Sequence, residues 1–238
     1  MTYTTTLHKA STRWHANHWW LDAYHSFSFA NWYNPERMQF GMLRVLNDDT
    51  VAGGMGFGKH PHDNMEIITI PLQGDLAHKD SMGNTETIKT GDIQVMSAGS
   101  GVEHSEFNPN EDDITKLLQI WIFPNQKNVE PRYQQLTLDP TERKNKLQQI
   151  VSPYPDDAGT WIHQDAWLYL SDFDADYSTT YQLQKEWNGL YIFVLSGTIL
   201  VDEQELETRD ALGITDFRSI KITAVSSAEF LLIEVPMR

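Results

Sequence analysis

Short runs of β-branched and aromatic residues, cut apart by Gly, Asn and Asp, recur along most of the chain and leave little room for any class but all-β. Gly41-Met-Leu-Arg-Val-Leu46, Glu66-Ile-Ile-Thr-Ile-Pro-Leu72 and Lys116-Leu-Leu-Gln-Ile-Trp-Ile-Phe123 are examples. Runs of this length between turn residues suit a β-sandwich or barrel. The stretch from about 125 to 157 differs: it carries Pro131, Pro140, Pro153 and Pro155 among many Gln, Lys and Glu residues and alternates little. It reads as a connection between two halves. Strands resume with Trp167-Leu-Tyr-Leu170, Leu190-Tyr-Ile-Phe-Val-Leu195 and Glu229-Phe-Leu-Leu-Ile-Glu-Val235.

The halves resemble each other. Glu66-IITIPLQ-Gly74 followed by Thr90-Gly91-Asp92 matches Gly189-LYIFVLS-Gly197 followed by Thr208-Arg209-Asp210, an internal repeat of about one barrel's length. Counting back from the paired glycines sets His60 against Leu183, His62 against Lys185 and Glu66 against Gly189. Counting forward from the paired aspartates sets His104 against Ile222. The chemistry is therefore expected in the first half alone.

That chemistry is written in two short spacings. In an extended strand alternate side chains share a face, so His60 and His62 point together, with Pro61 turned away; His104 and Glu106 do the same. If the two strands are neighbours, three imidazoles and one carboxylate converge. Such a set suits iron, manganese, nickel, cobalt, copper or zinc rather than calcium. The chain has no cysteine, so a metal must take nitrogen or oxygen ligands, and disulfides and cysteine nucleophiles are ruled out. Gly53, Gly54, Gly56, Gly58, Gly99 and Gly101 flank the two segments and let the backbone turn tightly at a barrel mouth.

The first segment, Gly54-MGFGK-His60-Pro-His62-DNM-Glu66, resembles the first cupin motif, and Gly91-DIQVMSAGSGVE-His104-Ser-Glu106 resembles the second. More closely, the chain resembles the pirin family. The resemblance rests on His25-Ser-Phe-Ser-Phe-Ala30, Gly41-Met-Leu-Arg-Val45, His60-Pro-His62, Gly91-Asp-Ile-Gln94, Met96-Ser-Ala-Gly99, Gly101, His104-Ser-Glu106, Gln119-Ile-Trp-Ile122 and Pro131-Arg-Tyr-Gln134. These cover most of residues 19–135, and the last hundred residues fit as a divergent second cupin. The resemblance implies two cupin-type (jelly-roll) β-barrels in tandem with little helix: a metal-binding domain over 1–135, and a C-terminal cupin over 136–238 without metal ligands.

It further implies one divalent ion, Fe(II) foremost, held by His60, His62, His104 and Glu106. Glu66 competes for the carboxylate position, since classical cupins use that glutamate and an uninterrupted strand would put it on the histidines' face. With Glu106 as ligand, Glu66 is expected to orient a ligand histidine or to stand near the open coordination position. Members of the family act as quercetin 2,3-dioxygenases, and human pirin is a nuclear, iron-dependent transcriptional cofactor. The implied activity is thus cleavage of a flavonol with O₂, with Glu106 or Glu66 accepting the proton of the substrate's 3-hydroxyl. The alternatives are a metal-dependent sensor or interaction protein without turnover, and a cupin enzyme acting on another small metabolite.

A net charge of −15 disfavours nucleic acid and anionic membranes as partners. The N-terminus lacks a cleavable apolar core and no run is long enough to cross a bilayer, so a soluble, cytoplasmic monomer is expected. Among the remaining residues, His25 reads as a core histidine bonded to a backbone carbonyl. Trp14, Trp19, Trp20 and Trp32 read as packing over the barrel's open end. His8, His15, His18, His78 and His163 read as surface or local hydrogen-bonding residues. Gln119 shares a strand face with Leu117, Trp121 and Phe123 and, as an amide among apolar neighbours, requires a partner.

Overall fold

The strand Thr115–Ile122 shows how the chain is organised. Leu118, Ile120 and Ile122 point from one face into a large apolar cluster, while Leu117 and Gln119 occupy the other face with Trp121. Both faces are covered, so this sheet lies between a barrel interior and a second domain. In a computed structural model that describes residues 3–238, twenty-two strands and two short 3-10 turns, Ala10–Thr12 and Pro140–Arg143, make up the regular structure. No described helix is long and apolar enough to cross a membrane.

Each half pairs a seven-stranded sheet with a four-stranded one. In the first half the large sheet runs 132–137, 92–97, 66–73, 115–122, 43–51, 21–25 and 14–17, and the small sheet runs 56–62, 102–107, 76–80 and 85–88. The second half repeats the same strand order, with 211–215, 188–196, 228–236 and 167–173 at the centre of its large sheet and 178–182, 219–224, 199–201 and 204–206 in its small one. The chain is therefore an all-β tandem of two jelly-roll barrels, the two halves the repeat predicts in the architecture the resemblance implies. The large sheets pack face to face, and Leu46, Ile68 and Leu118 of the first share one cluster with Leu168, Phe193 and Leu231 of the second. Each such fully buried side chain contributes about 1.5–3 kcal/mol. Gly41, at φ 51°, lies in this seam, where an added Cβ would stand 2.2 Å from the Pro236 carbonyl oxygen. Only glycine lets the two backbones approach so closely.

Three expectations shift. Strand Thr4–His8 pairs with Ala211–Thr215 of the second half, so the first residues belong to the far barrel. The boundary after residue 135 falls inside the strand Arg132–Thr137, which pairs with Asp92–Ser97 and closes the first large sheet. The proline-rich connection thus supplies an edge strand, its glutamines half-covered rather than looped out. The repeat also aligns differently across its hairpins. Register against the strand Leu76–Asp80 and its counterpart Ile199–Val201 pairs Glu106 with His78 and Ile222 with Val201, so Ile222 answers Glu106 rather than the counted His104. His104 then answers Ile220 and His60 answers Tyr181, because the turn after residue 182 is longer than the one after residue 62.

The interiors differ in kind. Directly paired positions Asn47, Gln119, Thr69 and Gln94 form a polar row across the first barrel's large sheet; their counterparts in the second are Tyr169, Leu232, Ile192 and Leu212. The second barrel is filled with apolar side chains, whereas the first keeps two small apolar caps with polar groups between them.

Candidate metal centre

Strands Gly56–His62 and Val102–Phe107 lie side by side and antiparallel, with His104 directly opposite His60 and Val102 opposite His62. Between His104 and Glu106 the register slips, so two steps on one strand answer three on the other, from His60 to Phe57. Such a bulge re-aims the side chains beside it. The rings of His60, His62 and His104 stand 4.4–4.8 Å apart between centroids, and His62 Nε2 lies 3.0 Å from His104 Nε2. Two nitrogens bound at right angles to one ion at about 2.1 Å would be about 3.0 Å apart. His60 Nδ1 donates to the Gly58 carbonyl at 2.7 Å, which leaves Nε2 with its lone pair. Burial, reinforced by neighbouring histidines, lowers His62 to about 4 and His104 to about 2. These imidazoles stay neutral at physiological pH, as metal ligation requires. The three present ligand atoms within 4.8 Å of one another, and the donor set fits a divalent ion.

Glu106 lines the same cavity as the three histidines and falls in a second group that shares His104. Its carboxylate, the His104 ring and the His78 ring form this group, with ligand atoms within 4.8 Å and all three residues buried. Glu106 Oε2 accepts from Gln119 Nε2 at 3.2 Å, Gln119 Oε1 accepts from Thr69 Oγ1 at 3.3 Å, and Glu106 Oε1 has no partner. Gln119 thereby finds the partner its position demanded. Burial pushes the Glu106 carboxyl up to about 7 against the hydrogen bonds that favour its charged form. His78, expected at the surface or in a local bond, is 1% exposed, faces Asp80 Oδ2 at 3.2 Å and lies 5.3 Å from the His104 ring. The local bond is present and the surface location is not. Within Leu76–Asp80 burial alternates, and His78 lies on the buried face.

Glu66 does not join the histidines. The strand carrying His62 ends there, and the chain turns through Asp63, Asn64 (φ 45°) and Met65 before Glu66 opens a strand of the other sheet. The uninterrupted strand that would have aligned Glu66 with His60 and His62 does not exist. Its carboxylate accepts from Ser97 Oγ at 2.7 Å. Burial raises it to about 7, opposed by Ser97, the His163 backbone and Arg132. Arg132 in turn lies 3.9 Å over the Trp161 ring of the second half, so Glu66 belongs to the seam between the barrels.

A cavity of about 380 Å³ opens from the histidines between the two sheets of the first barrel. Trp20, Phe29, Phe57 and Trp121 give it aromatic walls, and the large sheet contributes Asn47, Asp49 and Gln119. Trp121 meets His62 edge to face at 4.9 Å. Asp49, not singled out from the sequence, is 5% exposed; burial, then Asp48 and Glu106, raise its carboxyl to about 8. The alternation Asn47-Asp48-Asp49 on a strand whose partners are already placed is what reveals it. Of the four tryptophans, Trp20 packs on Phe57 at the cavity wall, whereas Trp14 stacks on Trp32 near the surface and Trp19 is 80% exposed. Core packing therefore does not describe Trp14 or Trp19. His25 is buried, but its Nδ1 has no hydrogen-bond partner. His8 is also buried, its Nδ1 within 2.8 Å of the Tyr191 hydroxyl across the seam.

A family profile described as Pirin matches residues 7–122, and one described as a quercetinase C-terminal cupin domain matches residues 149–235. The quercetin 2,3-dioxygenase of Escherichia coli (strain K12) is 43% identical over 230 residues, covering 97% of this chain and 98% of the relative. The crystal structure of YhhW from Escherichia coli superimposes with a TM-score of 0.93 at 42% identity, covering 98% of each chain. Its nickel(II) complex does so with a TM-score of 0.93 at 41% identity, covering 98% of this chain and 99% of that one. With two barrels of one topology, a histidine cluster in the first alone and near full-length relatives at this identity, the chain belongs to the pirin family of bicupins.

Proposed function

We propose that this protein is a metal-dependent dioxygenase of the quercetin 2,3-dioxygenase type, cleaving a flavonol with O₂. The observation that carries the reading is the convergence of three histidines on the mouth of an aromatic-walled cavity that also holds a buried carboxyl. Nickel in the related structure supports a divalent ion at such a cluster. His60, His62 and His104 would hold the ion, and Glu106, with one oxygen unpartnered beside His104, would complete the set. A bound ion would supply Lewis-acid polarisation of a substrate hydroxyl and a site for O₂ chemistry.

The rest is the work of the chain's own side chains. Trp20, Phe57 and Trp121 flank a planar ring system and keep bulk water from it. Gln119 fixes one oxygen of Glu106, so the other faces the cavity contents in a constant orientation. Once off the ion, the Glu106 carboxylate can accept the proton of an enolic hydroxyl. Glu66, turned toward the seam, leaves this role to Glu106. All of these groups come from one chain, so the site needs no second subunit.

Metal analysis of the purified protein combined with aerobic quercetin turnover, in wild type and in His62→Ala, tests the proposal. The expected result is near-stoichiometric metal and turnover in wild type, with both lost in the variant. Metal-replete wild type that leaves quercetin intact would sink the dioxygenase reading.

A further inference from the structure

We propose that Asp49 contacts the substrate, binding a ring hydroxyl of a polyhydroxylated aromatic ligand, and so sets which hydroxylation pattern the cavity accepts. The inference rests on the functional reading above and deepens it by naming the feature of the substrate that is selected.

Other buried acids of this fold show what a structural carboxylate looks like here. Asp92 accepts from the Lys89 backbone, Gln135 and Thr137. Glu234 accepts from Tyr181, Asn188 and the backbones of Gln184 and Lys185. Asp49 is equally buried, yet among the described residues no donor reaches its carboxyl, and its Oδ1 is without a partner. The nearby cations are engaged elsewhere: Arg13 and Arg209 pair with Asp48, on the opposite face of the strand. The fold does not require an acid at this place, since the paired position in the second barrel is Ser171.

Asp49 lines the cavity on the large sheet, facing the small sheet that carries the histidines. Two residues earlier on the same face, Asn47 also has an unpartnered Oδ1. A wall bearing Asn47 and Asp49 and no basic side chain offers a carboxylate ligand no ion-pair partner and favours neutral ligands that exchange hydrogen bonds with it, and the aromatic walls favour planar rings. Hydroxylated aromatics meet both demands. A site built to hydrogen-bond a hydroxyl discriminates strongly against the analogue that lacks it, because its own polar group is then left unpaired.

The test is binding of quercetin, and of flavonols each lacking one of its hydroxyls, to the metal-containing enzyme, read by quenching of tryptophan fluorescence. Wild type is expected to bind one analogue roughly 10–100-fold more weakly than quercetin. Asp49→Val is expected to keep its metal, lose that same factor for quercetin and bind the analogue within about threefold of wild type. Equal weakening toward every flavonol, or no weakening, would overturn the proposal, as would wild type that binds none of them. If Asp49→Val does not fold, Asp49→Asn must change the rank order of the analogues; an unchanged order overturns the contact. Tight, Asp49-dependent binding without turnover would refute only the dioxygenase reading.

Discussion

Asp48 and Asp49 are adjacent in the chain and opposite in circumstance: Asp48 meets Arg13 at 3.3 Å and Arg209 at 2.9 Å, while Asp49 points into the cavity with no donor among the described residues. Strand alternation alone separates them. Removing the charge at 48 leaves the buried Arg13 uncompensated, so Asp48→Asn should destabilise the fold by about 3 kcal/mol. Asp49→Asn relieves an unpaired buried acid and should leave stability at pH 8 unchanged or raised. Urea denaturation should show a lowered midpoint for Asp48→Asn and an unchanged or raised one for Asp49→Asn.

The raised carboxyl of Asp49 makes stability fall with pH. Between the ordinary aspartate range and about 8 the folded state holds a proton that the unfolded chain has released. In that window the folded state binds more protons, and unfolding becomes easier by about 1.4 kcal/mol per pH unit. Glu66 and Glu106 act in the same direction up to about 7. Histidines 8, 25, 62 and 104 are lowered and act oppositely, but their effect is complete above the ordinary histidine range. Metal-free protein should therefore lose thermal stability from pH 6.5 to 8.5, and Asp49→Asn should flatten most of that slope. A Tm that is constant or rising over this range in wild type would contradict the assignment.

The two glutamates should separate cleanly. Glu106→Gln removes a carboxylate next to His104 and is expected to lower metal affinity at least tenfold and turnover at least a hundredfold. Glu66→Gln acts in the seam between the barrels and should leave metal content intact and turnover within about threefold. Metal titration and steady-state rates on both variants decide it, and loss of metal from Glu66→Gln would restore that residue to the centre.

Gly56 touches the site through its backbone. A Cβ there would stand 2.2 Å from the Glu106 carbonyl oxygen and 2.5 Å from Phe107 Cα. Gly56→Ala must push the two site strands apart. The expected outcome is a folded protein, by circular dichroism, whose metal affinity falls at least tenfold because the strand bearing His60 and His62 no longer registers with the strand bearing His104.

What could be read from the chain was what depends on one strand at a time. The His60/His62 and His104/Glu106 pairs follow from alternation within single strands, and the all-β class follows from many such segments. Glu66 could compete for the carboxylate place only on an uninterrupted strand; a three-residue turn breaks that strand, and Asp63-Asn64, though turn residues, do not tell which sheet the chain enters next. His78 and Asp49 stayed hidden for a different reason. Each is an ordinary strand residue until a neighbouring strand or the opposite sheet closes over it, and that closure is long-range information. The matching of His60 with Leu183 failed because counting through a hairpin assumes a constant turn length, whereas hydrogen-bonded register does not.

The strand Thr4–His8 has a consequence for how the molecule comes into being. Its partners lie at Ala211–Thr215, so this segment must wait during synthesis until the second barrel is almost made before it can dock. Until then the second barrel has an uncovered sheet edge, and Thr4–His8 is an unpaired β-segment, free to add to the wrong edge. Loop closure over such a span slows the last step of assembly. A bulky fusion ahead of Thr4 would burden that step, so a protein tagged at its N-terminus should refold more slowly than one tagged at its C-terminus, even though both end in the same native state.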